Sequence, residues 1–471
     1  MAVRSPAAPS GPHPSTVERE ARGRAARAEV KRRTQGTFEP APDRPDPVDV
    51  LERQAASRVS ELVPIRYGRM LVSPFTFYRG AAAVMAADLA ASPNSGLRVQ
   101  LCGDAHLSNF GGFASPDRDL VFDINDFDET LPGPWEWDVK RLAASLAVGG
   151  RDRGFNDAER REVVLRTVAE YRTAMRQFAE MSNLEVWYSR LDAATIRSRW
   201  VADKRDAKRL KRIAQKATAK DSMRALSKLT HRVDGELRIV NDPPLIVPFD
   251  ELVPAAEAER MDKELRTLFR AYGKTLQGGA RELFESYRYV DVARKVVGVG
   301  SVGTRARIVL LLGRDDGDPL FLQAKEAEAS VLEPYAGKSR YANHGQRVVE
   351  GQWLMQAASD IFLGWVRATG IDGKQRDLYV RQLWDWKASV DVDVMAPGEL
   401  AGYGEMCGWT LARAHARSGD RVAIAAYLGS GDVFDNAMAG FAEAYADQNE
   451  RDYAALASAV KSGRITVETG V

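Results

Sequence analysis

The sequence predicts an α+β protein of two lobes, a large helical lobe and a small antiparallel β lobe, on three observations. The chain has 471 residues, more than one compact core usually holds. Apolar residues recur at helical spacing from Trp137 to about Tyr287, and again from Gly398 to about Val460. Between these stretches, after Val292, short apolar runs separated by turn residues take over. Hydrophobic residues make up 45% and charged residues 28%, the balance of an ordinary globular protein. With 67 Lys+Arg against 65 Asp+Glu, the net charge of +2 supplies no general attraction to nucleic acid. Cys102 and Cys407, the only cysteines, exclude a disulfide scaffold and suit a reducing cytoplasm. The longest apolar run, Ala81–Ala91, is broken by Asp88 and is far short of the about 20 residues that span a bilayer. Residues 1–14 lack the apolar stretch of a secretory leader, so a cytoplasmic protein with no membrane partner is expected.

Taken in order, residues 1–45 read as a disordered basic arm, punctuated by Pro6, Pro9, Pro12 and Pro14. Residues 46–290 are expected to carry the helical lobe, 291–390 a β-rich lobe, and 391–471 helices that return to the first. Within the helical lobe, Arg98–Cys102 and Leu120–Ile124 read as strands, with Gly111–Asp119 as the loop between them. Lys204–Lys220 is strongly basic with Leu210, Ile213, Ala214 and Ala217 at helical spacing, a helix with one basic face. In the β lobe, Ile308–Leu312 and Leu320–Ala324 flank Gly313–Pro319 as a hairpin. A helix is expected near Tyr341–Phe362, then a strand at Leu378–Leu383.

Chemistry concentrates in Cys102–Asn109 (CGDAHLSN) and Phe122–Glu129 (FDINDFDE). Converging carboxylates repel unless one binds a proton or a cation lies between them. Mg²⁺ characteristically takes one or two carboxylates together with phosphate oxygens, and an Asn amide oxygen completes such a site without added charge. Downstream, Gly298-x-Gly300-x-x-Gly303 lies between two strand-like runs. A dinucleotide site would need a helix after the third glycine, so this context favours a strand–loop–strand flap over phosphates. The next strand ends in Lys325, with Phe321 and Gln323 on the same face. Its ammonium could pair with phosphates and be held by a helix carboxylate, Glu350 first, with Glu328 and Glu333 as rivals.

CGDAHLSN followed by INDFDE resembles the catalytic loop and metal-binding segment of the aminoglycoside phosphotransferase and choline kinase group, and Gly133–Asp138 supplies that group's Gly-Pro-x-x-x-Asp turn. Cys102 stands where the group has a first His. From about Leu51 the chain also resembles the bacterial family catalogued as domain of unknown function 2252, through PIRYGRM, SPFTFYRG, GDAHLSNFG, NDFDET, GPWEWDVKRLA, YVRQLWDWK and LARAHARSGD. The motif order is unusual, because the acidic loop precedes the flap and its lysine. The resemblance therefore implies a protein-kinase-like fold in circularly permuted order. In it the helix holding Leu411–Ala416 would lead, in space, into the catalytic loop.

The resemblance also implies ATP and Mg²⁺ as cofactors and an unidentified small-molecule hydroxyl acceptor. Asp104 would orient or deprotonate the hydroxyl, with His106 positioning the loop. Asn109 and Asp126 would bind Mg²⁺, with Asp128 as helper. Lys325 would hold the α/β-phosphates under Gly298, Gly300 and Gly303. A hinge strand with Tyr379 and Arg381 would meet adenine through its backbone. His415 reads as structural. Four alternatives stay open: a nucleotide binder without transfer, an adenylyl transferase, a metal-dependent phosphoesterase, and a protein that binds no nucleotide.

Overall fold

The computed structural model describes residues 14–200, 204–252, 258–370 and 372–470. Among the described residues fourteen strands form four sheets. They are β1 (Arg98–Leu101), β2 (Phe110–Ala114), β3 (Leu120–Ile124), β4 (Leu131–Pro134), β5 (Leu191–Asp192), β6 (Thr230–Val233), β7 (Glu236–Ile239), β8 (Ile246–Pro248), β9 (Arg288–Lys295), β10 (Ala306–Leu312), β11 (Pro319–Ala327), β12 (Gly364–Thr369), β13 (Gln375–Gln382) and β14 (Ala388–Ser389). Helices are named below by their residues. The mixed α+β composition with antiparallel sheets agrees with the expected class.

The largest sheet has the order β12-β13-β11-β10-β9-β8, antiparallel throughout. Both faces of β11 are buried, so its apolar residues Leu320–Leu322 are followed by the buried polar side chains of Gln323, Lys325 and Glu326. Leu320, Leu322 and Ala324 pack with the helices Ala258–Gly273 and Gly278–Glu285. On the opposite face Phe321 meets Ala225 and Leu229 of the helix Ser222–Leu229. The helices and strands from Ser222 to Lys295 therefore belong to the small sheet's cores. The expected boundary at residue 291 is corrected to one about 70 residues earlier. Helical periodicity announced the elements there but not which core their apolar faces join.

The large lobe is built on the helices Trp135–Asp152, Asp157–Glu180, Pro397–Ser418 and Val433–Lys461, all part of one extended core. Two glycines set how closely they pack. A Cβ at Gly404 would lie 2.1 Å from Thr167 Oγ1, and one at Gly408 would lie 2.4 Å from the Thr167 carbonyl oxygen.

Two further expectations are corrected. The N-terminal arm is ordered from residue 14: Thr16–Glu29 is a helix with a capping box from Ser15, packed against the helix Arg421–Leu428. Arg44 donates to both oxygens of Asp88 (2.6 and 2.9 Å) and of Asp452 (2.9 and 2.6 Å), and Phe38 packs edge-on against Phe441 and Tyr445. Residues 1–13 of the expected arm lie outside the described residues. The stretch Gly111–Asp119 is a strand and a turn, because β2 runs to Ala114 and pairs with β3. Gly111 and Gly112 are there because β14 passes close: a Cβ on either would come within 3 Å of Ala388. Among the described residues no helix is long and apolar enough to cross a membrane.

Candidate active site

One helix face holds the segment Cys102–Asn109. Asp138, Arg141 and Ser145 recur at three and four residues along Trp135–Asp152, a polar line on one face of the helix. Asp138 accepts the backbone N–H of Cys102 (2.8 Å) and Gly103 (3.0 Å), and Ser145 accepts that of Leu107 (3.2 Å). Arg141 donates through Nε to Asp104 Oδ1 at 2.8 Å. Behind this line, His415 bridges Tyr171 (2.9 Å) and Asp138 (3.3 Å), the structural role expected of it. Cys102 is a buried free thiol whose pKa burial pushes well up, so it is inert packing.

Asp104 sits at the end of this support. Burial pushes its carboxyl up to about 6, against the pull of Arg141, and the nearby charges of Asp126 and Asp138 add to the rise. His106 accepts the Ser108 N–H at Nδ1 (3.2 Å), which leaves the proton on Nε2, 3.7 Å from Asp104 Oδ2. Burial, with Arg141 and Arg79 nearby, keeps this imidazole neutral. Asn109 donates its amide nitrogen to the Asp104 carbonyl (2.8 Å), so its amide oxygen is the end left for another partner.

The lysine of the small sheet reaches the acidic segment of the large lobe. Lys325 Nζ is bonded to Asp128 Oδ2 and lies 4.0 Å from Asp126 Oδ2, although Asp128 is 197 residues away in the chain. Its side chain is 3% exposed, and these carboxylates hold its pKa up against desolvation. Tyr379, opposite Lys325 in the β11–β13 ladder, donates to Asp128 Oδ1 at 2.7 Å. Both oxygens of Asp128 are thus engaged, whereas Asp126 keeps 31% of its side chain exposed. Arg381 donates to the Asn125 carbonyl (3.0 Å) and to Gln323 Oε1 (3.2 Å).

Glu350 is corrected as the lysine's partner: it accepts a weak bond from Gln346 at 3.4 Å and makes no ion pair among the described residues. Neither rival pairs with the lysine either. Glu328 accepts from Ser57 (3.0 Å), and Glu333 lies 3.8 Å from His344. The helix His344–Met355 instead turns Arg347 inward, where it donates to the carbonyls of Asp128, Thr130 and Glu328, each at 2.8 Å. Burial pushes the neighbouring Glu129 carboxyl up to about 7, and Arg347 opposes the rise. The hinge expectation also moves. β13 lies between β11 and β12, and Tyr379 pairs with both, opposite Lys325 and Trp365, whereas Arg381 pairs with Gln323 of β11 alone. The segment after them, Leu383–Asp385, lines the cleft instead.

The flap is the connection from β9 to β10. Gly298 and Gly303 have φ of +67° and +87°, a conformation that side chains other than glycine resist. Gly300 faces the Arg79 carbonyl, which would be 3.2 Å from a Cβ there. The flap is tied to the helical lobe: Val59 N–H donates to the Gly303 carbonyl (2.8 Å), Arg69 to that of Gly298 (2.6 Å) and Arg58 to that of Val302. Beneath it runs a cleft in two compartments. The larger, about 660 Å³, is lined by Lys325, Gln323, Arg381, Trp384 and Lys387. The smaller, about 210 Å³, is lined by Asp104, His106 and three arginines, and the two share Arg79, Asn109, Asp126, Gly298 and Ser301. Reasoning from sequence missed Arg141, Arg347 and Lys387. The spacing of Arg141 from Asp138 was the one local signal.

The donor set at the junction fits Mg²⁺: hard oxygens from Asp126 and Asn109, with Asp128 committed to Lys325 and Tyr379. Among the described residues no three His, Cys, Asp or Glu are grouped to hold a metal by themselves.

No curated protein and no solved structure matches the chain. A family model described as "uncharacterized protein conserved in bacteria" matches residues 58–459, and over that span the chain belongs to this family, DUF2252.

Proposed function

We propose that the protein is an ATP- and Mg²⁺-dependent phosphotransferase of circularly permuted kinase-like fold, acting on the hydroxyl group of a small molecule. One observation carries this reading. Lys325 of the small sheet and Asp126 of the distant acidic segment stand 4.0 Å apart at the wall of a nucleotide-sized cleft. Two features of the fold support it. With the strand that enters the flap counted as the first, the lysine lies on the third, as the phosphate-binding lysine of protein kinases does. The end of Pro397–Ser418 lies against β1: Ser418 Oγ accepts the Gln100 N–H (3.2 Å), and a Cβ at Gly419 would lie 3.0 Å from the Arg98 carbonyl oxygen. That helix therefore meets the catalytic strand in space though not in chain order, as a permutation requires.

On this reading Lys325 and Arg381 hold the nucleotide's phosphates and the flap covers them. Asn109 and Asp126 hold Mg²⁺, which would neutralise phosphate charge when bound. The acceptor oxygen forms a bond to the γ-phosphorus as the bond to the ADP oxygen breaks, and the hydroxyl proton passes to Asp104. Arg141 and His106 keep the Asp104 carboxylate aimed. Thermal melting with Mg·ATP tests the reading. At a hundredfold excess over Kd, ligand adds about 2.7 kcal/mol, a shift of several degrees. No shift at millimolar Mg·ATP would overturn it, and labelled ATP distinguishes ADP formation from pyrophosphate release.

A further inference from the structure

The smaller compartment holds three guanidinium groups with unmet hydrogen-bonding capacity. Arg58, Arg66 of the helix Val63–Met70 and Arg79 of the helix Pro74–Gly80 all line it, beside Asp104. Part of Arg66 and of Arg58 is used locally. Arg66 Nη2 donates to Gln54 Oε1 (2.9 Å) and to the Gly80 carbonyl (3.0 Å), and Arg58 Nη1 donates to the Val302 carbonyl. The rest finds no acceptor: Nε of all three, and Nη1 of Arg66, are shielded from water and unbonded. Among the described residues none of the three forms an ion pair. The carboxylates sharing the compartment stand out of ion-pair range of them: Asp104 pairs with Arg141, Asp128 with Lys325, and Glu326 with Arg305 and Arg376. Asp126 lies 4.0 Å from Lys325, Glu129 accepts the Val331 N–H and Glu328 the Ser57 hydroxyl. The charges of Glu328 and Glu129 offset only part of the desolvation of Arg58.

This arrangement is costly. Arg66 is 0% exposed, and the charge of Arg58 opposes its own. A buried charge without a partner costs several kcal/mol, and each buried donor without an acceptor about 1–3 kcal/mol. An oxyanion relieves both, and the planar guanidinium fork matches carboxylate or phosphate oxygens in pairs.

On the phosphotransferase reading, we infer that the smaller compartment binds the acceptor through an oxyanionic group, held by Arg66, Arg79 and Arg58, so that the substrate is an anionic small molecule presenting its hydroxyl to Asp104. Calorimetric titration of the full chain with inorganic phosphate and with acetate tests this, with and without a bound non-hydrolysable Mg·ATP analogue. Wild-type protein should bind at least one of the two anions. Tighter phosphate points to a phosphate ester as substrate, and tighter acetate to a carboxylic acid. Arg79→Gln and Arg66→Lys should each weaken that binding at least tenfold, and binding should persist with the analogue present. Arg79 is half-buried, so Arg79→Gln carries the test even if the Arg66 variant fails to fold. Unchanged affinity in the variants would overturn the inference. So would displacement of the anion by the analogue, which would assign the arginines to the nucleotide's own phosphates. Absent anion binding beside normal Mg·ATP binding would overturn this inference alone. Anion binding without any response to Mg·ATP would remove the phosphotransferase reading and leave the anion site.

Discussion

A lysine ammonium 3% exposed between two aspartates is held by its partners. Asp128→Asn removes the bonded charge and leaves Lys325 with Asp126 alone. A broken buried pair costs about 3–5 kcal/mol, because the surviving charge is uncompensated. Adding Lys325→Met should restore much of that stability, and denaturant melts of the two single variants and the double variant measure the coupling. Activity should respond differently. Lys325→Ala and Asp126→Ala should each lower turnover of Mg·ATP with its acceptor by roughly 10²–10³-fold, about 3–4 kcal/mol of transition-state stabilisation. Asp360, which lines the larger compartment, accepts the N–H of Phe362 (2.8 Å) and of Gln382, yet burial pushes its carboxyl up to about 6. Its folded value exceeds its unfolded one, so the stability it contributes is complete below about pH 4 and is lost as pH rises through 6. Asp360→Asn should flatten the stability curve over that window, as denaturant melts between pH 4 and 7 would record.

At the scale of elements, the helix Pro397–Ser418 shows packing overriding intrinsic propensity. Replacing a helical glycine by alanine favours the helix by about 1 kcal/mol in isolation. Gly402 faces open space, so Gly402→Ala should raise the melting temperature by a few degrees. At Gly408 the same change drives a Cβ against the Thr167 backbone 2.4 Å away, and overpacking of that kind costs about 1–3 kcal/mol. Gly408→Ala should therefore lower the melting temperature although the two sites are less than two turns apart. The neighbouring support helix works through its polar line. The contiguous motifs CGDAHLSN and FDINDFDE were readable because their residues act within a few positions of one another. The Asp138–Arg141 spacing was equally local, but it could not reveal what the arginine touches.

Across the whole molecule, residues 14–45 tie the large lobe together, because Arg44 links Asp88 to Asp452 and Gln35 donates to Tyr427 (3.1 Å). A chain beginning at residue 46 would leave two buried carboxylates facing each other and strip Phe38 from Phe441 and Tyr445. It should melt at least ten degrees lower or fail to fold, as circular dichroism would register, since losing one buried partner already costs about 3–5 kcal/mol. Arginine and proline composition had suggested disorder for this segment. Its partners lie tens to hundreds of residues downstream, where composition carries no trace of them.

From the sequence alone came the α+β class, the β9–β10–β11 run with its glycine-rich connection and lysine, and the choice of Asp104, Asn109 and Asp126 as candidates. Each is expressed by spacing within a few residues, the range over which helix and strand geometry fixes side-chain direction. Tertiary structure alone decided that Lys325 pairs with Asp128 and not Glu350, that Arg347 turns inward, and that Arg58 joins Arg66 and Arg79 beside Asp104 with no ion pair among the described residues. Those outcomes depend on how a helix is rotated about its own axis and which distant backbone it meets. Packing of whole surfaces settles both, and no local periodicity encodes it.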